Sequence, residues 1–301
     1  MGSPDFAVPS LQHLVASEHN IQLVVTGPDK RRGRRQKPAP TAVKAEAESA
    51  GLPVYETDDV NTTELHDKLK SLAPDLIVIV AFKVLPESLL RIPSEGAINL
   101  HASLLPKYRG AAPIHHAVMN GEQETGCTVF FLNKGIDTGN IIDQVKTDIG
   151  PDETTGDVYK RLMDLGGELI QKCVDAIAEH KVTAHPQSDE PATSAPKLYK
   201  EKCRIDFHQT TVQVHNFIRG LSPFPGAWTR LDGKHINIYR SRVTEEYQLK
   251  PGHLTVENGK AFVGCNDGAL ELVELQMEGK KRMSGEELFR GMHKLPEQFD
   301  E

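Results

Sequence analysis

The stretch LIVIVAFKVLPESLLRIPSEGAINLH (Leu76–His101) contains two apolar segments of the kind that form buried strands. The first, LIVIVA, is a run of β-branched residues, as expected for a strand that is covered on both faces. The second, GAINLH, carries two polar residues near its end, Asn99 and His101. Side chains two positions apart in a strand point the same way, so we expect this amide and this imidazole to share one face.

Strands and helices alternate on both sides of this stretch. We predict strands at IQLVVT, GCTVFFL and NIIDQVKT, and helices at TAVKAEAESAG, TTELHDKLKSL, PIHHAVMNG and about residues 154–180. Thr41 and either Thr62 or Thr63 are the predicted N-caps of the first two helices, and Gly51 follows the end of the first. The alternation predicts an α/β fold over residues 1–181, with a Rossmann-like, mostly parallel sheet.

The pattern changes after residue 181. The segment VTAHPQSDEPATSAPK has three prolines and little periodicity, and we predict a linker over residues 182–204. TTVQVHNFIRGL predicts a helix. Short β-type segments follow it, separated by the turn dipeptides Asp232-Gly233, Asn258-Gly259 and Asp267-Gly268. We therefore predict a small, OB-like β-barrel domain over residues 205–301.

Composition indicates a globular protein of two domains. The chain has 301 residues, of which 38% are hydrophobic and 26% are charged. There is no apolar run of about 18 residues and no secretory signal pattern, so we expect no membrane association. The four cysteines are scattered, without a CxxC pair. This spacing argues against a metal site and favours reduced thiols in the cytoplasm. Separately, we expect the protein to be a monomer.

One basic segment stands out in an acidic chain. The formal net charge is -7, yet KRRGRRQK (Lys30–Lys37) contains six basic residues and no acidic one. Such a dense basic loop predicts a localised anionic partner rather than general adhesion to nucleic acid.

A third polar residue completes a candidate site. Asp137 lies 36 residues beyond His101, in the segment NKGIDTGN, between Gly135 and Gly139. Ligands of open α/β sheets bind beyond the carboxyl ends of the strands. Asn99 and His101 stand at such an end. We expect Asn99, His101 and Asp137 to form a compact site. Each residue taken singly also has a structural explanation: Asn99 as a turn former at the strand end, His101 as a structural histidine and Asp137 as part of an Asx-type turn.

Together these residue types suit the movement of a formyl group between two nitrogen atoms. The incoming amine is itself the nucleophile, so no serine or cysteine is required. The Asn99 amide and a protonated His101 can donate hydrogen bonds to the oxyanion, and an imidazole can carry protons between the nitrogens. Asp137 can orient His101 or help organise the amine.

Two motifs resemble those of the folate-dependent formyltransferase family: NLHASLLPKYRGAAPI (Asn99–Ile114) and GIDTG (Gly135–Gly139). The segments GSPDFAVPSL, DKRRGRRQKPAPTAVK, GLSPFPGAWT and LQMEGKKRMSG extend the resemblance over nearly the whole chain. They are most similar to the members of the family that act on a charged tRNA.

The resemblance implies transfer of a formyl group from 10-formyltetrahydrofolate to the amino group of methionyl-initiator tRNA. It implies that the catalytic residues are Asn99, His101 and Asp137. It assigns folate binding to Ser103, Leu104, Leu105 and Pro106, and tRNA binding to Lys30, Arg31, Arg32, Arg34, Arg35 and Lys37. It also implies a short apolar strand in the centre of the sheet, ahead of Gly2, and no such segment is present in this sequence.

Two alternative functions remain open from the sequence. One is another formyltransferase or hydrolase that uses the same folate but acts on a small amine, a sugar nucleotide or water. The other is a non-catalytic RNA-binding protein. The basic loop and the C-terminal domain favour tRNA as the acceptor, and the complete Asn99, His101 and Asp137 set favours an enzyme.

Overall fold

The computed structural model describes residues 1–31, 38–292 and 296–300. Within them the α-helices are α1 (Val8–Ala16), α2 (Ala42–Ser49), α3 (Thr63–Leu72), α4 (Glu87–Leu90), α5 (Pro113–Met119), α6 (Thr155–Ala178), α7 (Thr211–Gly220) and α8 (Gly285–Arg290). The strands are β1 (Val24–Thr26), β2 (Lys30–Arg31), β3 (Pro38–Ala39), β4 (Val54–Glu56), β5 (Ile77–Val80), β6 (Ala97–His101), β7 (Glu124–Phe131), β8 (Ile141–Asp148), β9 (Ala227–Leu231), β10 (Lys234–Thr244), β11 (Leu254–Glu257), β12 (Lys260–Gly264), β13 (Ala269–Met277) and β14 (Met283–Ser284).

The chain divides into two compact units. Unit 1 comprises Met1–Pro113, Gly126–Thr147 and Tyr159–Ala195, and unit 2 comprises Ile114–Thr125, Asp148–Val158 and Pro196–Glu301. Residues 182–195 therefore belong to unit 1, although we predicted a linker from residue 182 onward. The short segments before residue 159 that belong to unit 2 carry no composition signal in the sequence.

Unit 1 has the predicted α/β architecture. β5 pairs with β6 in parallel, and β1 pairs with β4 in parallel. One sheet has the strand order β5-β6-β7-β8, in which β7 pairs with β6 antiparallel, and a second sheet contains β1 and β4. The expected α/β fold is thus confirmed, but the arrangement of strands is mixed: β1–β4 and β5–β6 are parallel, whereas β6–β7 is antiparallel.

Local sequence signals set the helix boundaries of unit 1. The Thr41 hydroxyl accepts a hydrogen bond from the Lys44 backbone N–H, and so caps α2. Thr62, rather than Thr63, caps α3. These side-chain oxygens satisfy N–H groups that have no partner inside the helix, which explains why the predicted starts are confirmed.

The core of unit 1 lies between the strands and the helices. One cluster joins residues of β1, α3, β5, α4 and β6: Val25, Leu65, Leu69, Ile77, Ile79, Leu89 and Ala97. On α6 the buried residues recur at helical spacing: Leu162, Leu169, Ile170, Cys173 and Ile177. The long helix therefore packs one apolar side into the unit.

The N-terminal residues lie between β1 and β5, which belong to different sheets of unit 1. The Met1 ammonium donates to the Val78 carbonyl oxygen at 2.6 Å, and the Val80 N–H donates to the Met1 carbonyl oxygen at 2.9 Å. The Gly2 N–H donates to the Val25 carbonyl oxygen at 3.1 Å. Met1 and Gly2 therefore bridge β1 and β5 at the position where the resemblance implies a further strand.

An apolar cavity of about 320 Å³ adjoins these residues. Its lining includes Leu14, Leu23, Ile77 and Val174. Burial lowers the pKa of the Met1 ammonium to about 5. These apolar surroundings thus favour the neutral form of the Met1 amine.

Unit 2 is built on an antiparallel sheet, as predicted for the C-terminal domain. Its strand order is β11-β12-β13-β10-β9, and β14 pairs with β13. Asp232 and Gly233 connect β9 to β10 with φ angles of 49° and 75°, and Asn258 and Gly259 connect β11 to β12 with φ angles of 51° and 78°. Left-handed residues of this kind make two-residue hairpin turns, so two of the three predicted turn dipeptides are confirmed as such turns. The third, Asp267-Gly268, lies in the longer connection between β12 and β13.

Helix α7 covers the core of unit 2. Thr210 and Gln213 form a reciprocal capping box at its start. Buried residues from the helix and the sheet make up the core, among them Val214, Ile218, Leu231, Ile236, Ile238, Leu270 and Leu275.

Candidate active site

Strand β6 places Asn99 and His101 on one face at its carboxyl end. The strand lies between β5 and β7, where Asn99 is opposite Ile79 on one side and Phe130 on the other. His101 is buried, with 6% of its surface exposed, and Asn99 is half-buried. A strand with neighbours on both sides is a rigid support for both side chains.

The imidazole of His101 has a defined proton arrangement. Its Nε2 lies 2.8 Å from the carbonyl oxygen of Tyr108. A carbonyl oxygen can only accept, so Nε2 carries the hydrogen and donates. Nδ1 lies 3.7 Å from Oδ2 of Asp137. Any proton that His101 exchanges with a substrate must therefore pass through Nδ1, on the side of the carboxylate.

Asp137 is held beside His101 from a second segment. Its carboxylate Oδ2 accepts a hydrogen bond from the backbone N–H of Gly110 at 2.9 Å. The Asx-type contact in this loop belongs to another residue, because Asn133 Oδ1 accepts from the Gly135 N–H at 2.9 Å. Asp137 has a φ of 54°, an unusual conformation for a residue with a side chain. The loop therefore directs the carboxylate toward His101 rather than into its own turn.

The carboxamide of Asn99 has no hydrogen-bond partner among the described residues. It shares the face of β6 with His101. A half-buried amide of this kind retains both its donors and its acceptor for a bound substrate.

The loop after β6 carries the four residues that the resemblance assigns to folate: Ser103, Leu104, Leu105 and Pro106. The Ser103 hydroxyl donates to the Lys107 carbonyl oxygen at 2.6 Å. The Leu105 N–H donates to the Thr128 hydroxyl at 3.1 Å. The polar groups of Ser103 and Leu105 thus hold the loop in shape, while Leu104 and Pro106 are half-buried and offer apolar surface.

Only part of the basic loop lies in the described residues. Lys30 is in β2, its side chain is 71% exposed, and its ammonium lies 3.3 Å from Oδ1 of Asp58. Arg31 follows it in the same strand. The remaining predicted tRNA contacts lie outside the described residues: Arg32, Arg34, Arg35 and Lys37.

The cysteines do not provide a nucleophile for this site. All four are buried. Burial raises the pKa of the Cys127, Cys173 and Cys265 thiols to about 12. The reactive thiolate form is therefore suppressed.

Sequence reasoning missed several residues that shape the site. Thr128 is fully buried, and its hydroxyl donates to the Ser103 carbonyl oxygen at 2.7 Å. A polar residue inside the apolar segment GCTVFFL is the signal that could have identified it. Tyr108 acts through its backbone oxygen. Gln187, whose side-chain amide donates to the Asp137 carbonyl oxygen at 2.9 Å, lies in a segment without periodicity. No sequence pattern marks these two residues.

In the described parts of the chain, no three His, Cys, Asp or Glu side chains are grouped as metal ligands. The same parts contain no helix with the length and apolar character needed to span a membrane.

Comparisons with known proteins identify the family. Residues 1–174 match the formyl transferase model, and residues 197–293 match the model of the formyl transferase C-terminal domain. The chain therefore belongs to the formyl transferase family, whose members use formyl-tetrahydrofolate.

Curated relatives are similar over almost their whole length. The methionyl-tRNA formyltransferase of Geobacter metallireducens is 43% identical over 298 residues, which are 98% of this chain and 96% of that protein. The methionyl-tRNA formyltransferase of Bacteroides fragilis is 43% identical over 311 residues, covering 99% of this chain and 95% of that protein.

Solved structures show the same fold at lower identity. WlaRD, a sugar 3N-formyltransferase in the presence of dTDP and 5-N-formyl-THF, has a TM-score of 0.68 and 19% identity, over 93% of this chain and 97% of that chain. An N-formyltransferase from Helicobacter canadensis in complex with folinic acid and dTDP-3-aminofucose has a TM-score of 0.67 and 21% identity, over 90% of this chain and 96% of that chain.

Proposed function

We propose that this protein transfers a formyl group from 10-formyltetrahydrofolate to the amino group of methionyl-initiator tRNA, for translation initiation. The observation that carries the proposal is the full-length similarity to proteins named for this reaction, which includes the C-terminal domain. The sugar N-formyltransferases align over 90% or more of this chain but at only 19% and 21% identity, so an amino sugar as the acceptor has weaker support. We further propose that the protein acts in the cytoplasm as a monomer.

The geometry supports a direct transfer between two nitrogen atoms. The tRNA amine forms a new C–N bond to the formyl carbon, and the bond between that carbon and the folate nitrogen then breaks. Asn99, whose amide has no partner among the described residues, donates to the oxyanion that forms between these steps. The amine loses one proton, which must reach the leaving nitrogen.

His101 and Asp137 act together in proton transfer and in stabilising the oxyanion. Because Nε2 donates to the Tyr108 carbonyl oxygen, proton transfer and oxyanion donation by His101 both depend on Nδ1. One nitrogen cannot do both at the same moment. If Nδ1–H donates to the oxyanion, water carries the amine proton away. Asp137 stabilises the imidazole when Nδ1 is protonated.

The formyl donor fits beside these residues through the loop after β6. Leu104 and Pro106 supply apolar surface for a flat ring system, and the hydrogen bonds at Ser103 and Leu105 fix their positions. We propose this four-residue loop as the folate-binding segment, in which Leu104 and Pro106 contact the folate while the buried Ser103 and Leu105 hold the loop in shape.

A single-turnover assay tests the proposed reaction. Purified protein is mixed with labelled 10-formyltetrahydrofolate and one of three acceptors: methionyl-initiator tRNA, uncharged tRNA or none. We expect formyl-methionyl-tRNA only with the charged tRNA. Formate release without an acceptor would instead indicate a hydrolase, and no reaction with tight tRNA binding would indicate an RNA-binding protein.

Replacing Asp137 with asparagine should lower kcat by about 100-fold, because the carboxylate acts on the imidazole that moves protons. The change preserves size and removes charge. It should also alter the pH dependence of kcat, measured from pH 5 to 9. Asp67→Asn, an exposed change on α3, is the control. Full activity with an unaltered pH dependence would show that the Asp137 charge has no role.

Neutralising the basic loop should weaken tRNA binding. The variant changes Arg31, Arg32, Arg34 and Arg35 together to glutamine. Arginine pairs bidentately with phosphate, so each lost contact should lower the log–log slope of affinity against salt by about 0.7 to 0.9. Affinity for tRNA is measured by filter binding across a salt series, and folate binding should not change.

The control for this variant removes the same charge elsewhere in unit 1. It changes four exposed lysines to glutamine: Lys68, Lys70, Lys160 and Lys181. If both variants bind tRNA with the same affinity and salt slope, the loop makes no specific contact with the tRNA.

A further inference from the structure

Residues 185–195, called the strap below, run along two loops of the candidate active site. At one end, His185 and Ile141 exchange two backbone hydrogen bonds of 2.8 Å. At the other, the Arg109 N–H donates to the Thr193 carbonyl oxygen at 2.9 Å, and the Ala195 N–H donates to the Arg109 carbonyl oxygen at 2.7 Å. The strap therefore joins the loop that carries Tyr108 to the loop that carries Asp137.

Gln187 is the central residue of this connection. Its Oε1 accepts from Arg109 Nε at 3.2 Å and from Nη2 at 2.9 Å. Its Nε2 donates to the carbonyl oxygens of Asp137 at 2.9 Å and Gly139 at 2.8 Å. A guanidinium only donates and a carbonyl only accepts, so these partners allow one orientation of the Gln187 amide. Gln187 is half-buried between exposed neighbours.

The two ends of the Gln187 amide act on opposite sides of the His101–Asp137 pair. On one side, Arg109 lies between Tyr108, whose oxygen accepts from His101, and Gly110, whose N–H donates to the Asp137 carboxylate. On the other, the amide holds the backbone of Asp137 itself. One side chain is thus linked to Asp137 directly, and through Arg109 to the two neighbouring residues that bind His101 and the carboxylate.

The backbone in this region needs such support. Tyr108 and Asp137 have φ angles of 62° and 54°, which are unfavourable for residues with side chains. A Cβ at Gly110 would lie 2.6 Å from the Ala195 carbonyl oxygen, so the strap approaches as closely as glycine allows. The conformation persists because surrounding contacts determine it.

We infer that Gln187 is a positioning residue for formyl transfer, which holds the Asp137 carboxylate beside His101 through the Asp137 backbone and Arg109. The inference rests on the proposed function. Gln187 has no need to touch either substrate, because it acts through Asp137. The strap packs little apolar surface, so the loss of these hydrogen bonds should alter the site more than the stability of unit 1.

Gln187→Met tests this role, because it keeps the length of the side chain and removes all four hydrogen bonds. We expect kcat to fall about 10- to 100-fold, since small displacements of a catalytic group have effects of this size. KM for both substrates should stay within about twofold. Gln187→Glu is the second variant. It keeps an acceptor for Arg109 but cannot donate to the Asp137 and Gly139 carbonyls, and it should show a similar loss.

Asp189→Asn is the matched control. Asp189 also binds the Arg109 guanidinium, at 2.8 Å from Nη1, but its side chain is 86% exposed. Exposed ion pairs contribute little, so this variant should retain normal kcat. Equal losses in Asp189→Asn and Gln187→Met would show that general weakening of the strap, rather than the Gln187 amide, is responsible.

A double-mutant cycle with Asp137→Asn gives the decisive result. If Gln187 acts through the carboxylate, Gln187→Met should lower the kcat of Asp137→Asn by less than about twofold. A further loss equal to that in the wild-type background would overturn the inference.

An activity-independent measurement separates this inference from the proposed reaction. The imidazole ¹⁵N–¹H correlations of His101, assigned by their loss in His101→Asn, should shift in Gln187→Met and not in Asp189→Asn. If the wild-type protein transfers no formyl group, the proposed function fails, while a shift of these signals still supports the positioning role. Unchanged signals with unchanged kcat in Gln187→Met would refute that role.

Discussion

Asn99→Ala and His101→Ala should each lower kcat for formyl transfer by about 100- to 1000-fold, the usual effect of removing one oxyanion donor in acyl transfer. Both side chains should act on the transition state more than on the bound substrates, so affinity for methionyl-tRNA should stay within about twofold. Single-turnover kinetics measure the first quantity, and filter binding at fixed salt measures the second.

Two further variants distinguish the roles of the His101 nitrogens. Glutamine places an amide nitrogen near the Nε2 position and can still donate to the Tyr108 carbonyl oxygen, but it has nothing at Nδ1. Asparagine places an amide donor near Nδ1. If His101 only donates to the oxyanion, His101→Asn should retain more activity than His101→Gln. If it carries protons, both should be as inactive as His101→Ala.

Matched controls come from α3 and the residues before it. Asn61→Ala and His66→Ala change the same residue types outside the candidate site, and both should retain normal turnover. Near-normal kcat in Asn99→Ala or His101→Ala would refute the role given to that residue. A loss of tRNA affinity that accounts for the whole effect would place the residue in substrate binding instead.

Addition of about six apolar residues ahead of Gly2 should raise the thermal midpoint of the protein by about 5 °C or more. The added segment can pair with both β1 and β5, which Met1 and Gly2 now bridge. It also replaces the buried Met1 amine, which at pH 6 must lose its proton when the protein folds, with a peptide group that does not titrate. Differential scanning calorimetry at pH 6 compares the two chains.

The buried Met1 amine should make the free energy of unfolding depend on pH, and the extension should abolish this dependence. Burial lowers the pKa of the Met1 amine from 8.0 to about 5, so the folded state binds fewer protons than the unfolded state between these values. The free energy of unfolding should therefore fall as pH decreases from 8 toward 5. The limit is about 4 kcal/mol, from 1.36 kcal/mol for each unit of the shift.

The control is an extension of the same length made of glycine and serine. It removes the ammonium without supplying apolar side chains for the cavity beside Met1. We expect it to abolish the pH dependence and to give a smaller rise in the thermal midpoint. Equal midpoints for all three chains would show that the present contacts of Met1 and Gly2 already complete the sheet.

Much of this protein is determined by local sequence. Thr41 and Thr62 begin helices because their hydroxyls satisfy nearby N–H groups, and Asn258-Gly259 makes a hairpin turn because both residues tolerate a positive φ. The residue types Asn99, His101 and Asp137 predicted a candidate site with the chemistry of acyl transfer, because that chemistry requires donors and a proton carrier.

Tertiary structure alone decides how the candidate site is arranged. The Tyr108 carbonyl determines which His101 nitrogen faces Asp137, and any residue type supplies the same carbonyl. We predicted a linker around Gln187 because the segment has three prolines and little periodicity. In the structure the hydrogen bonds of Gln187 go to segments far away in the chain. Residue types allow local backbone conformation and burial to be predicted. Contacts between segments far apart in the chain leave no periodic pattern, so they became visible only in the folded structure.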